Sequence, residues 1–149
     1  MAQEQGRQLD EAFDDIIVAW LIERQALLTQ FVALPQMSVA EDVVQELHHF
    51  CEAMVDYSSR GHFNVYEQLL THIATHSVKH VATTNALLGN IHDTTDKIII
   101  FDDEYGAVEK LSIQDIGHFS GRLSRLGEVL TERFNLEDEL MGLVQETLS

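Results

Sequence analysis

Apolar residues recur at helical spacing along most of the chain. Between residues 9 and 34 they fall three, four or seven positions apart, which is the period of one face of an α-helix. Similar stripes return in four later segments. The second helix carries Val43, Leu47, Phe50, Met54 and Tyr57, and the fourth, less regularly, Val81, Leu88, Ile91, Ile98 and Ile99. The pattern predicts helices over 9–34, from near Val39 to near Gly61, from Phe63 to Ile73, over 79–105 and over roughly 112–148. Five helices joined by short loops predict an all-α fold, an antiparallel helical bundle with a four-helix-bundle core and a single domain over 1–149.

The stretch DYSSRGHFNVYEQL, residues 56–69, interrupts this rhythm. Gly61 is suited to a helix end, because glycine adopts the left-handed conformation without a steric penalty. Asn64 and Glu67 have the three-residue spacing of an N-terminal cap pair. The sequence therefore predicts a turn between the second and third helices at Ser58–Gly61.

Two charged residues interrupt the apolar stripes. Arg24 falls between Trp20 and Leu27, and Glu137 falls between Phe134 and Met141. A charge on a core face is costly unless it is paired. We therefore expect an internal polar network. Its predicted members are Arg24, Arg133, Glu137 and Asp138. The network can fix the register of the helices or form a ligand pocket, and the need of buried charges for partners favours the first interpretation.

The chain is strongly acidic, with a formal net charge of −16 from 25 carboxylates and 9 basic residues. Such a surface repels phosphate backbones, which argues against direct nucleic-acid binding and favours a basic partner. Cys51 is the single cysteine, which fits a reducing compartment. The longest apolar run, 16–22, is far too short to span a membrane. These features predict a cytoplasmic protein without a membrane segment.

No pattern typical of an enzyme or a metal site is complete in this sequence. Glu46 and His49 have the spacing of carboxylate-bridged metal bundles, but only one such motif occurs. His72, His76 and His80 are four apart without the glutamate of a metalloprotease helix. Cys51 lies beside a core stripe, where a cysteine acts as a small hydrophobe. We expect no catalysis, no cofactor and no metal.

The outward side of the second helix suggests a docking surface. On a helical wheel Asp56 lies opposite the core stripe, and Glu52 and Ser59 accompany it. Next to them comes His62. Carboxylates at such an edge speed the association of a basic partner and select among partners.

Three blocks of the sequence resemble the Rsd/AlgQ family of bacterial anti-sigma regulators. They are WLIERQALL at 20–28, FCEAMVDYSSRGHFNVYEQL at 50–69 and ERFNLEDELMGLV at 132–144. Together they cover about a third of the chain in matching order. One departure is clear: where members carry an Asp-Arg pair before the tryptophan, this chain has Val18 and Ala19.

The resemblance implies an anti-sigma factor that binds the primary sigma factor, mainly its domain 4. That domain is a basic helix-turn-helix module, and covering it would block recognition of the −35 element and association with core RNA polymerase. Direct contact with core polymerase stays open. The predicted partner-binding residues are Asp56, Glu52, Ser59, His62, Phe63 and Glu67. Two alternatives remain, a small-molecule or metal-sensing bundle and an adaptor for another signalling protein.

Overall fold

A computed structural model describes residues 2–34, 41–107 and 113–148, with side chains over 15–34, 44–61, 65–107 and 118–146. Its helices are α1 (Ala2–Ala33), α2 (Glu41–Arg60), α3 (Glu67–His76), α4 (Val81–Tyr105) and α5 (Ile113–Leu148). A π-helical segment, Gly61–Tyr66, joins α2 to α3, and a short 3₁₀ turn, Val78–His80, precedes α4. No strand occurs in the described ranges, and the all-α prediction is confirmed.

Aromatic contacts show how neighbouring helices run. Phe31 near the end of α1 contacts Phe50 early in α2, with ring centroids 5.7 Å apart. Trp20, further back in α1, stacks on Tyr57 near the end of α2 at 6.4 Å. The two helices are therefore antiparallel. Helices α4 and α5 are also antiparallel, because Tyr105 at the end of α4 contacts Phe119 early in α5, and Thr94 further back in α4 contacts Arg133 further along α5. Helix α5 also packs on α3.

One hydrophobic core runs through the bundle. It takes residues from every helix, and the predicted stripe of α2 lies wholly within it where side chains are described. The α4 stripe was predicted less well: Ile98 is buried, but its neighbour Ile99 is 45% exposed, against prediction. Among the buried positions that the stripes did not include are Ser58, Val65, Thr84, Leu87, Thr94, Phe101, Tyr105 and Leu140.

The predicted turn at Ser58–Gly61 is wrong. The chain stays helical from Glu41 to His76, and Gly61 has no positive φ. Helix α3 has no side-chain cap at its start, because an uninterrupted helix leaves few backbone N–H groups to cap. The expected cap residue Asn64 lies outside the described side chains. The prediction failed because glycine serves two purposes, and here it provides space instead of a left-handed turn.

The π-helical segment explains why a glycine is needed at position 61. A Cβ atom there would lie 2.9 Å from the Cζ and Oη atoms of Tyr66, so only glycine leaves room for that ring. The segment also turns the chain. Tyr57 and Tyr66 are nine residues apart. In a regular α-helix, which turns about 100° per residue, their side chains would point in nearly opposite directions. The wider π turn rotates the chain less per residue, which brings Tyr66 round toward the side of Tyr57.

Helix α5 is unbroken from Ile113 to Leu148. Its continuity holds the Arg133 and Glu137 side chains one turn apart on the buried face, both with no exposed surface. The predicted start of the second helix, near Val39, lies outside the described residues.

Candidate functional site

The centre of the bundle holds a carboxylate surrounded by donors. The Tyr57 hydroxyl donates to Glu137 Oε1 at 2.7 Å, and the Tyr66 hydroxyl donates to Oε2. Arg133 Nε lies 3.6 Å from Oε2, and Arg24 Nη1 lies 4.0 Å from Oε1. Each oxygen of Glu137 therefore has one hydroxyl donor and one guanidinium beside it.

Arg133 connects this carboxylate to α4. Its Nη1 donates to Thr95 Oγ1 at 2.6 Å and to Thr94 Oγ1 at 3.1 Å. Its Nη2 donates at 3.1 Å to the Tyr66 hydroxyl, which in turn donates to Glu137. The arginine is thus paired and hydrogen-bonded on several sides, as a buried charge requires.

The network reaches the surface at Asp138. Arg24 binds this carboxylate in a bidentate manner: Nη1 donates to Oδ1 at 2.9 Å and Nη2 donates to Oδ2 at 3.3 Å. The guanidinium also lies 4.8 Å above the Phe134 ring, a cation–π arrangement. The sequence predicts Asp138 as an internal member of the network. Its side chain is instead 52% exposed, so it lies where the network meets the surface.

The structure thus brings together all four residues predicted for the network, and adds four more. The additional members are Tyr57, Tyr66, Thr94 and Thr95. The hydrophobic pattern did not reveal that the tyrosines donate hydrogen bonds, because a tyrosine on a core stripe is counted among the apolar residues. The signal that could have found them is the charge of Glu137, which needs donors and not only a counterion.

Burial changes the proton affinities of these groups. It raises the pKa of the Glu137 carboxyl, while Arg133, the two hydroxyl donors and Arg24 oppose that rise. Burial, together with the negative charge of Glu137, raises the pKa values of Tyr57 and Tyr66 well above their usual range. Both hydroxyls therefore remain protonated donors at any ordinary pH.

This arrangement is suited to holding helices and poorly suited to catalysis. Arg133 and Glu137 have no exposed surface, and their charged groups contact each other and neighbouring hydroxyls. Burial raises the pKa of the Cys51 thiol to about 12, so it carries little of the thiolate that nucleophilic attack needs. Among residues with described side chains, no group of three His, Cys, Asp or Glu is placed to hold a metal ion.

Outward residues of α2 and of the start of α3 form a separate feature, which we call the acidic edge: Glu52, Asp56 and Ser59 of α2, and Glu67 of α3. All four side chains are exposed. The predicted contacts His62 and Phe63 fall outside the described side chains. The nearby guanidinium of Arg60 donates to Glu23 at 3.0 Å, so its charge is partly neutralised within the chain.

A groove of about 500 Å³ runs beside the acidic edge, between α2 and α4. Ser59 and Glu67 of the edge line it, and Tyr66 of the network lies in its wall. Its apolar lining residues are Val55, Leu70, Leu88, Ile98 and Ile99. The exposed Ile99 thus forms part of a concave surface, next to carboxylates.

Comparison with known proteins places this all-helical bundle in the class of transcription regulators that act on a sigma factor. Residues 2–145 match the model of one family, described as "Regulator of RNA polymerase sigma(70) subunit, Rsd/AlgQ". The chain belongs to this family, which confirms the resemblance seen in its sequence blocks. No solved structure matches the chain.

Curated relatives carry the name "Regulator of sigma D". One from Pectobacterium carotovorum subsp. carotovorum is 33% identical over 136 residues, which cover 88% of each chain. A Pectobacterium atrosepticum relative is 32% identical over the same length. One from Yersinia enterocolitica is 30% identical over 139 residues, covering 90% of this chain and 83% of the relative.

Proposed function

We propose that this chain is a non-enzymatic anti-sigma factor of the cytoplasm that binds the primary sigma factor, mainly through its domain 4. By covering that basic module it blocks reading of the −35 element and association with core RNA polymerase. Membership of a family of sigma(70) regulators supports the sigma factor as partner. The choice of domain 4 follows from what the family resemblance implies, and charge agrees with it, since an acidic bundle complements a basic module.

The observation that carries the proposed binding site is the acidic edge. Glu52, Asp56 and Glu67 expose three carboxylates, and Glu67 lines the adjoining groove. Arg60, at the end of α2, is paired with Glu23. Exposed carboxylates attract a basic partner over a distance and set its orientation. The adjoining groove supplies apolar contact, which provides most of the affinity in protein interfaces.

The internal network supports this assignment by fixing how α2 is rotated. Asp56 and Tyr57 are consecutive, and the Tyr57 hydroxyl is held 2.7 Å from Glu137 Oε1. Successive residues on a helix differ in direction by about 100°. Holding Tyr57 inward therefore keeps Asp56 directed outward, where a partner can reach it. The network serves the docking surface as a positioning device.

Titration of the protein against isolated domain 4 of the primary sigma factor, at low and moderate salt, tests the proposal. We expect one-to-one binding that weakens as salt rises, because exposed charges are screened. Asp56→Arg should weaken binding at least about tenfold, since like charges brought together at an interface cost several kcal/mol.

The matched control is Glu139→Arg. It makes the same change in net charge at an exposed residue of α5 that lines a different groove. An unchanged affinity with this variant, beside a loss with Asp56→Arg, locates the contact on the acidic edge. Equal losses would show that only the overall charge matters. Absence of binding at either salt would rule out domain 4 as the partner.

A further inference from the structure

The outer face of α1 carries no exposed charge over residues 18–33. Ten residues between 18 and 33 are exposed, and none of them is charged. The two charged residues in that stretch, Glu23 and Arg24, turn aside to pair with Arg60 and Asp138. On α2, by contrast, four of the seven exposed residues between 44 and 60 are charged. Over this stretch the outer face of α1 is therefore neutral, whereas the outer face of α2 is charged.

This neutral face is also apolar. Val18, Ile22 and Val32 are each more than half exposed, and Leu21 is 38% exposed. The opposite side of α1 already serves the core through Trp20, Leu27 and Leu34. Residues 15–33 are even long and apolar enough to cross a membrane by length and composition. An exposed apolar surface of this kind indicates a contact that the single chain leaves unfilled.

Charge indicates what covers the face. A chain with a net charge of −16 repels its own copies over most of its surface. The outer face of α1 is neutral and exposes Val18, Ile22 and Val32, so two copies can approach there with little repulsion and bury apolar surface. A basic partner, on the other hand, gains no electrostatic attraction there and is drawn to the acidic edge.

The order of residues along this face is symmetric about Gln25. Val18 and Val32 lie seven residues to either side of it. Leu21 and Ile22 lie four and three residues before it, and Leu28 and Thr29 lie three and four after it. A two-fold rotation about an axis through Gln25, perpendicular to the helix, therefore places Val18 of one copy against Val32 of the other. A two-fold interface requires such self-complementarity.

We propose that two copies of this chain pair antiparallel through α1, about a two-fold axis at Gln25. Val18 of each copy then faces Val32 of the other. The two Gln25 amides meet on the axis, where each can donate and accept, and a polar pair within an apolar seam fixes the register. The stretch 18–32 spans about 21 Å, which is small for an interface. The dimer is therefore weak, with a dissociation constant on the order of ten micromolar.

Sedimentation equilibrium of the full-length protein, from about 1 to 500 μM, tests this pairing. We expect a monomer–dimer equilibrium. Ile22→Glu should raise the dissociation constant about a hundredfold, because the symmetry places each substitution in the interface twice. Val78→Glu is the matched control, since it adds the same charge at a valine that is 81% exposed outside α1. A monomer at every concentration, or an equal loss with both variants, overturns the proposal.

Paired substitutions test the antiparallel orientation. A chain carrying both Val18→Lys and Val32→Glu places opposite charges face to face across an antiparallel pair and like charges across a parallel one. It should keep the dimer, whereas Val18→Glu with Val32→Glu should abolish it. Loss of the dimer in both chains refutes the antiparallel arrangement. Cosedimentation with phosphatidylcholine vesicles that Ile22→Glu removes would assign the face to a lipid surface and overturn self-association.

Discussion

Substitution of Glu137 by glutamine tests the internal network most directly. The change keeps the size of the side chain and removes its charge. Arg133, which has no exposed surface, then loses its counterion and keeps its hydrogen bonds to Tyr66, Thr94, Thr95 and the Ile91 carbonyl oxygen. Removing one partner of a buried ion pair costs about 3–5 kcal/mol, since the other charge stays buried. The amide can still accept from one tyrosine, so we expect a loss near the lower limit, about 3 kcal/mol.

This loss is large against the stability of an ordinary domain, about 5–15 kcal/mol. For a chain of this length it corresponds to a fall in melting temperature of roughly 6–12 °C. Urea unfolding at neutral pH measures it, with helical circular dichroism and tryptophan fluorescence as separate readouts. Trp20 is the only tryptophan, and its ring lies 5.7 Å from that of Tyr66, so its emission reports on the network itself.

The neighbouring Asp138→Asn is the matched control. It also removes one carboxylate charge from a contact with Arg24, but at a side chain that is 52% exposed. Exposed ion pairs contribute about 0–1 kcal/mol, so this variant should stay close to the parent protein. A cost below 1 kcal/mol for Glu137→Gln, or equal costs for the two variants, would refute the view that the buried carboxylate balances Arg133.

Two further predictions concern Gly61 and Cys51. Gly61→Ala should destabilise the protein by about 1–3 kcal/mol in urea unfolding, because its Cβ displaces the Tyr66 ring. Gly89→Ala, with nothing within 4 Å of the new Cβ inside α4, should instead stabilise it by up to about 1 kcal/mol, and a similar loss at both positions would contradict the packing argument. The Cys51 thiol, whose pKa is raised to about 12, should react with a disulfide reagent at pH ~8 only after unfolding. Rapid reaction of the native protein would show that the thiol is accessible.

Helical periodicity determined most of the fold. The core stripe of α2, the long α5 and the outward direction of Asp56 all follow from residue spacing, because a regular helix converts spacing into direction. The structure at Gly61 did not follow from spacing: the sequence predicts a helix end there, and the chain continues as a helix. Whether a glycine ends a helix or makes room for a ring depends on what packs against it, and Tyr66 is the group that decides. Ile99 was misplaced for a related reason, since its neighbours Ile98 and Ile100 offer no polar residue to mark the core side of α4.

The sequence by itself also determined that Arg24 and Glu137 require internal partners, because an unpaired charge cannot remain on a core face. Tertiary structure alone decided which partners they have. Tyr57, Tyr66 and Thr95 reach the network from positions 38 to 80 residues away from Arg133 or Glu137 along the chain. Such contacts depend on how the helices are rotated about their axes. That rotation is set by side chains packing between helices, and by the π-helical segment that turns Tyr66 toward Glu137.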